Sequence, residues 1–230
     1  MSQADMRVLA IDTALANCAA AVLDNGAETA CFEACNEEIG RGHAEVLMDM
    51  IGEVMAETST AFSDLDRVAV TVGPGSFTGL RVGLAVARGF GLVLGKPVVG
   101  ITTLAAIARS NAPADNGAPL LVALTGKGNE VYCQEFTSLG DKSGEAAVRT
   151  LDDLAATLPR SIRLAGSAAE KIAQALDLPQ DQIISRMEFA AIREVAELGL
   201  VADPVVSTPS PLYLRPPDAT PQTRGRIERQ

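Results

Sequence analysis

Two periods of apolar residues alternate along the first half of the chain. Short apolar runs at 7–12 and 17–24 read as strands, and a third strand is predicted over 27–35 after the Asn25-Gly26 turn signal. A helical period follows over 43–58, with Leu47, Met50, Ile51, Val54 and Met55 on one face. Then come a strand at 67–72, a helix at 76–94, a strand at 97–101 and a helix at 103–110. The order is βββαβαβα. Three meandering strands followed by right-handed βα units build a mixed sheet covered by helices.

Near residue 111 the character changes. The stretch 111–117 is rich in Asn, Pro and Gly and marks a linker. Beyond it strands are predicted at 120–124, 130–136 and 162–166, and helices at 151–157, 168–176 and 188–199. Leu121-Val122-Ala123-Leu124 echoes Val8-Leu9-Ala10-Ile11, so the second half reads as a shortened, degenerate copy of the first. The expected units are 1–110, 111–202 and a Pro-rich tail, 203–230, extended or partly disordered.

The most informative run is Gly73-Pro74-Gly75-Ser76-Phe77-Thr78-Gly79-Leu80-Arg81-Val82-Gly83, between a strand and a long helix. Glycine admits positive φ and proline fixes φ, so Gly73, Pro74 and Gly75 form a sharp structural turn with Ser76 as N-cap. Such a turn can cradle an anion. The count excludes a P-loop, because Thr78, Gly79 and Leu80 stand where Gly-Lys-Ser/Thr would be. A dinucleotide turn fails too, with Thr78 at its last glycine position. Nor is Ser76 set in the Gly-x-Ser-x-Gly pattern of a nucleophile.

Gly79, Gly83, Ala87 and Gly91 recur every fourth residue in the helix the turn launches. An interior helical glycine costs roughly 1 kcal/mol relative to alanine, so this stripe calls for close approach by another backbone. A helix apolar nearly all round is covered on more than one side. Core packing and a subunit interface both satisfy that requirement.

Charge and composition narrow the chemistry. The formal net charge of −10 disfavours direct grip on a phosphate backbone. Cys18, Cys31, Cys35 and Cys133 form no CxxC pair and read as reduced thiols. His43 is the only histidine, and the position four residues on is Leu47, so a two-ligand helix face for metal is missing. Asp12 ends the first strand, where it bonds to the turn after it or serves catalysis. Segment 1–6 lacks a signal-peptide apolar region, and the apolar segment 82–94 is short for a bilayer span and carries Arg88. A soluble, cytoplasmic protein is expected.

The Gly73–Arg81 motif, Leu9-Ala10-Ile11-Asp12-Thr13, His43, Glu130-Val131-Tyr132 and Pro211-Leu212-Tyr213-Leu214-Arg215 together resemble the bacterial TsaB (YeaZ) family. The family's Asp-Ala-Arg turn is Thr125-Gly126-Lys127 here. The resemblance implies tandem ribonuclease H-like domains of the actin-like ATPase superfamily. It implies a non-catalytic scaffold in making threonylcarbamoyladenosine next to the anticodon of tRNAs. Its partners would be a TsaD-like catalytic paralogue, a TsaE-like ATPase and itself as a homodimer, with tRNA met only indirectly and no membrane. No intrinsic cofactor is implied; ATP/ADP and metal would belong to partner subunits or to the subunit boundary. The resemblance places the partner interface on His43, Leu47, Met50, Ile51, Val54, Phe77, Gly79, Leu80, Gly83, Ala87 and Gly91. On that reading Gly83→Leu abolishes association and leaves the monomer folded. The competing classes are a metallopeptidase or small ATPase or kinase of the same fold, and a homodimeric protein-binding module unrelated to tRNA.

Overall fold

The computed structural model describes residues 5–26, 31–39, 42–112, 117–207 and 209–215, arranged as two sheets with helices on their faces. In the first sheet, β1 (Arg7–Asp12) pairs antiparallel with β2 (Asn17–Asp24), and β2 pairs antiparallel with β3 (Cys31–Glu38). On its other side β1 pairs parallel with β4 (Arg67–Gly73), which pairs parallel with β5 (Val98–Thr102). The order is β3-β2-β1-β4-β5. The central strands β1 and β4 are apolar almost throughout because both faces are covered.

Helices α1 (His43–Glu57) and α2 (Phe77–Leu94) cover one face, where Leu9, Ile11, Leu47, Ile51, Val54, Leu84 and Ala87 share one core. The other face meets α3 (Thr103–Ser110), which reaches on to the second sheet. That sheet comprises β6 (Leu120–Thr125), β7 (Glu130–Phe136), β8 (Ala147–Thr150) and β9 (Arg163–Ala165), in the order β8-β7-β6-β9. β6 pairs antiparallel with β7 and parallel with β9, while β7 pairs antiparallel with β8. α4 (Leu151–Thr157) and α5 (Ala169–Ala175) pack on it through Leu154, Ile172 and Ala173.

The last helix, α6 (Ile192–Val201), returns to the first sheet, so residues 192–202, expected with the second unit, pack on the first. Val195 and Ala196 join Ala10, Ala69 and Ala106 in its core. A Cβ on Gly199 would lie 2.6 Å from Ala69 Cβ, so the helix sits close on β4. The buried Arg67 guanidinium then donates through Nη1 to the carbonyls of Gly199, Leu200 and Ala202, supplying donors for a helix end that otherwise lacks them.

Three local expectations change. β2 and β3 pair as far as Asp24 with Cys31, a register that does not close the hairpin in a two-residue Asn25-Gly26 turn. Asn25 instead exchanges hydrogen bonds with Met6, prolonging the β1–β2 ladder. Residues 27–30, where the third strand was expected to begin, lie outside the described residues. The α2 helix runs to 18 residues, long and apolar enough to cross a bilayer by length and composition. Its inner face lies on the sheet, however, and it carries Arg81 and Arg88. The described part of the tail is docked: Ser207 O accepts from Gly100 N, and Leu212 N donates to Val72 O.

Candidate functional site

The Gly-rich run turns the chain from β4 into α2. Gly73 has φ +103° and the Gly73–Pro74 peptide is cis. Ser76 is the N-cap: its Oγ accepts from Gly79 N at 3.3 Å. Its own N–H donates to Ala14 O at 2.6 Å. The turn after β1 is therefore seated directly on the motif. A Cβ on Gly75 would collide with Ala14 O, and one on Gly79 with Thr13 O. The Thr13 hydroxyl completes the junction, donating to Gly79 O at 2.8 Å and accepting from Gly83 N at 3.1 Å. The Ser76 amide, one of the donors such a turn could offer an anion, is thus occupied by the chain's own carbonyl, in line with a structural turn.

This junction also corrects the expected interface. The stripe of Gly79, Gly83 and Ala87 faces inward, onto Thr13 and the β1–β4 sheet, while Gly91 meets Val98 and Lys96. The close approach demanded by the stripe is made by the chain's own backbone. Leu47, Met50, Ile51, Val54 and Leu80 are likewise buried within the monomer. His43 is buried as well, with Nε2 2.9 Å from Leu15 O; a carbonyl only accepts, so Nε2–H donates. Phe77 alone of the expected interface residues is well exposed, at 48%.

What α1 and α2 present outward is a different set. Met48 and Gly52 on α1, and Ala85, Gly89, Leu92 and Val93 on α2, are exposed on the same side of the sheet. Nothing stands within 4 Å of a Cβ built at Gly52 or Gly89. Leu92 and Val93 are 86% and 81% exposed. Arg81 flanks this apolar strip, with its guanidinium 3.7 Å from the centre of the Phe77 ring.

Asp12 is wholly buried. Its Oδ1 accepts from Thr71 Oγ1 at 2.6 Å and from Ala14 N at 2.9 Å, while Oδ2 has no partner. Burial pushes its carboxyl above the ordinary carboxylate value, and the two hydrogen bonds oppose that shift. Asp12 therefore holds its proton more tightly in the folded state than in the unfolded chain. Its contribution favours the fold at acid pH and is lost as pH rises through the folded-state value. Asp12→Asn, which keeps the Oδ1 acceptor and removes the charge, is expected to flatten this dependence of stability on pH between acid and neutral conditions. Urea denaturation across pH checks this, because the wild-type slope should be lost in the variant.

His43 and Ser76 line one surface hollow of about 430 Å³ between the N-termini of α1 and α2, yet no hydrogen bond joins their side chains. Among the described residues no group of three His, Cys, Asp or Glu side chains could hold a metal ion. All four cysteines are free, and burial raises the Cys18 and Cys133 thiols to about 11, which suppresses thiolate chemistry. The sequence reading missed Thr13 and Thr71. Their signal was the placement of a hydroxyl directly after Asp12 and of another near the end of the neighbouring parallel strand.

A family model described as TsaD, tRNA N6-adenosine threonylcarbamoyltransferase, matches residues 36–207. The Escherichia coli tRNA threonylcarbamoyladenosine biosynthesis protein TsaB is 34% identical over 131 residues, 57% of this chain and 55% of that protein. The tRNA N6-adenosine threonylcarbamoyltransferase of Jannaschia is 36% identical over 145 residues, 63% of this chain and 37% of the relative. The match to TsaB thus spans about half the length of that relative. The solved structure of YeaZ from Pseudomonas aeruginosa superposes with a TM-score of 0.73 at 23% identity, covering 91% of this chain and 100% of that one.

Proposed function

The chain belongs to the TsaB (YeaZ) family, within the reach of the threonylcarbamoyltransferase family model, and on that premise we propose that it is a non-catalytic subunit in tRNA threonylcarbamoyladenosine synthesis. It pairs in the cytoplasm with a TsaD-type catalytic paralogue, works beside a TsaE-type ATPase, and meets tRNA only through them. ATP/ADP and metal belong to those partners or to the boundary with them.

One observation carries the reading. The exposed outer faces of α1 and α2 carry Met48, Gly52, Ala85, Gly89, Leu92 and Val93 among the charged residues Glu45, Asp49, Glu53 and Arg88, and are open where Gly52 and Gly89 stand. Apolar area of this kind on a folded unit is characteristic of a surface that another protein covers. The same strip serves self-association when the paralogue is absent. A scaffold role fits the motif's chemistry too, since Ser76 N, Thr13 and Asp12 are spent on holding α2 against β1.

The two sheets are tandem copies of one ribonuclease H-like plan. β3-β2-β1-β4 and β8-β7-β6-β9 have matching order and matching parallel and antiparallel pairings, and among the described residues the place of β5 is held in the second copy by a single parallel bridge, Leu164 with Ile183. Depletion of the protein in its own cells, followed by mass spectrometry of tRNA nucleosides, tests the function. Threonylcarbamoyladenosine should fall sharply and return on complementation; an unchanged level refutes the assignment.

A further inference from the structure

The 211–215 motif, Pro-Leu-Tyr-Leu-Arg, is unused by the function above, and its contacts are of one kind. Leaving α6 on one face of the first sheet, the chain passes the edge of β5, where Gly100 N donates to Ser207 O at 2.8 Å. On the opposite face Arg88 donates to Pro209 O at 2.6 Å. Leu212 N then donates to Val72 O at 2.7 Å, beside the Gly-rich turn. The Tyr213 ring lies 5.5 Å from that of Phe77, whose other neighbour is the Arg81 guanidinium. Finally Arg215 crosses to the second sheet and pairs with Glu130, the first residue of β7, at 3.2 Å.

Residues next to those anchors in sequence, Ser76 beside Phe77 and Tyr132 two positions after Glu130, line a cavity of about 370 Å³. Leu15, Pro74 and Ser76 form its wall on the first sheet, and Leu124, Thr125 and Tyr132 its wall on the second. The strap is tied to Val72 and Phe77 on one wall and to Glu130 on the other. Its seat is built for it: a Cβ on Gly73 would come within 3.3 Å of Leu212 O.

We propose that residues 209–215 are a latch that holds the two sheets together across this cavity and so sets the angle between the Gly-rich turn and the β6–β7 hairpin. Loss of the latch opens the cleft and leaves each sheet intact. The inference does not rest on the proposed function, and its readout needs no partner protein.

Hydrogen exchange on the full chain tests it with Tyr213→Ala, Arg215→Glu and the swap Glu130→Arg/Arg215→Glu. Losing the aromatic contact should speed exchange of peptides covering 72–78 and 124–132 about fivefold to tenfold, with β1 amides unchanged. The single charge reversal should act in the same direction more weakly, as expected of a half-exposed pair, and the swap should restore the slow rate. Faster exchange confined to 209–215, with both walls unchanged, would overturn the latch. Uniform acceleration that includes β1 would overturn it as well, because that reports general loss of stability.

Discussion

Gly83→Leu is expected to destabilise the monomer strongly, whether or not a partner is present. Gly83 lies where α2 crosses β1 and β4. A Cβ there would stand 2.5 Å from Thr13 Oγ1, with Val70 and Ile11 methyls close behind. Thr13 cannot retreat, because its hydroxyl accepts from Gly83 N and donates to Gly79 O while its carbonyl faces Gly79. A leucine would have to lift the helix and break both hydrogen bonds. Overpacking costs about 1–3 kcal/mol, and each buried polar group left unpaired adds about 1–3 kcal/mol. Gly79 O and Gly83 N stand at i→i−4 positions of α2 and can pair with each other, so the unpaired group is the Thr13 hydroxyl and the sum is roughly 2–6 kcal/mol, a large share of the stability of an ordinary domain. The denaturation midpoint in urea should fall accordingly, and Gly79→Leu should behave alike. A wild-type midpoint for Gly83→Leu would refute the packing role of the stripe.

This outcome differs from the expectation of an intact monomer, and the difference shows what periodicity conveys. A small residue at every fourth position states that one helix face meets a backbone at close range. It does not state whose backbone. The answer lay in Thr13, far away in sequence, and became visible only when β1 and α2 were in contact. The elements of the first sheet were legible because their signals are local: apolar runs for β1 and β4, and a Thr102 hydroxyl that accepts from Ala105 N to start α3. Asn25-Gly26 misled because ladder hydrogen bonds with Met6 outcompete a local turn preference. The strand β8 escaped notice because all four of its residues are half-buried, which gives no alternation to read. For α6 the amphipathic face was readable, but a face does not name its sheet. Its return to the first sheet is written in Gly199 and Arg67, which are 132 positions apart.

If the proposed function holds, the partner covers the outside of the same two helices, and a charge there should separate association from folding. Gly89→Glu places a carboxylate on the exposed side of α2. At Gly89 nothing stands within 4 Å of the new Cβ, and replacing a helical glycine gains up to roughly 1 kcal/mol in helix propensity. The monomer should hold its denaturation midpoint or exceed it slightly. Against a partner, the same carboxylate would be desolvated beside the exposed Leu92 and Val93 that follow it on α2. Burying an unpaired charge at the centre of an interface costs several kcal/mol, so affinity for the catalytic paralogue should drop by about 100-fold or more. Self-association should weaken in parallel, because the strip is the same. Titration calorimetry with the paralogue and sedimentation of the chain alone measure the two effects. Gly83→Leu would lose both binding and stability, whereas Gly89→Glu would lose binding alone. Undiminished binding by Gly89→Glu would place the partner on another face and leave the apolar strip without a role.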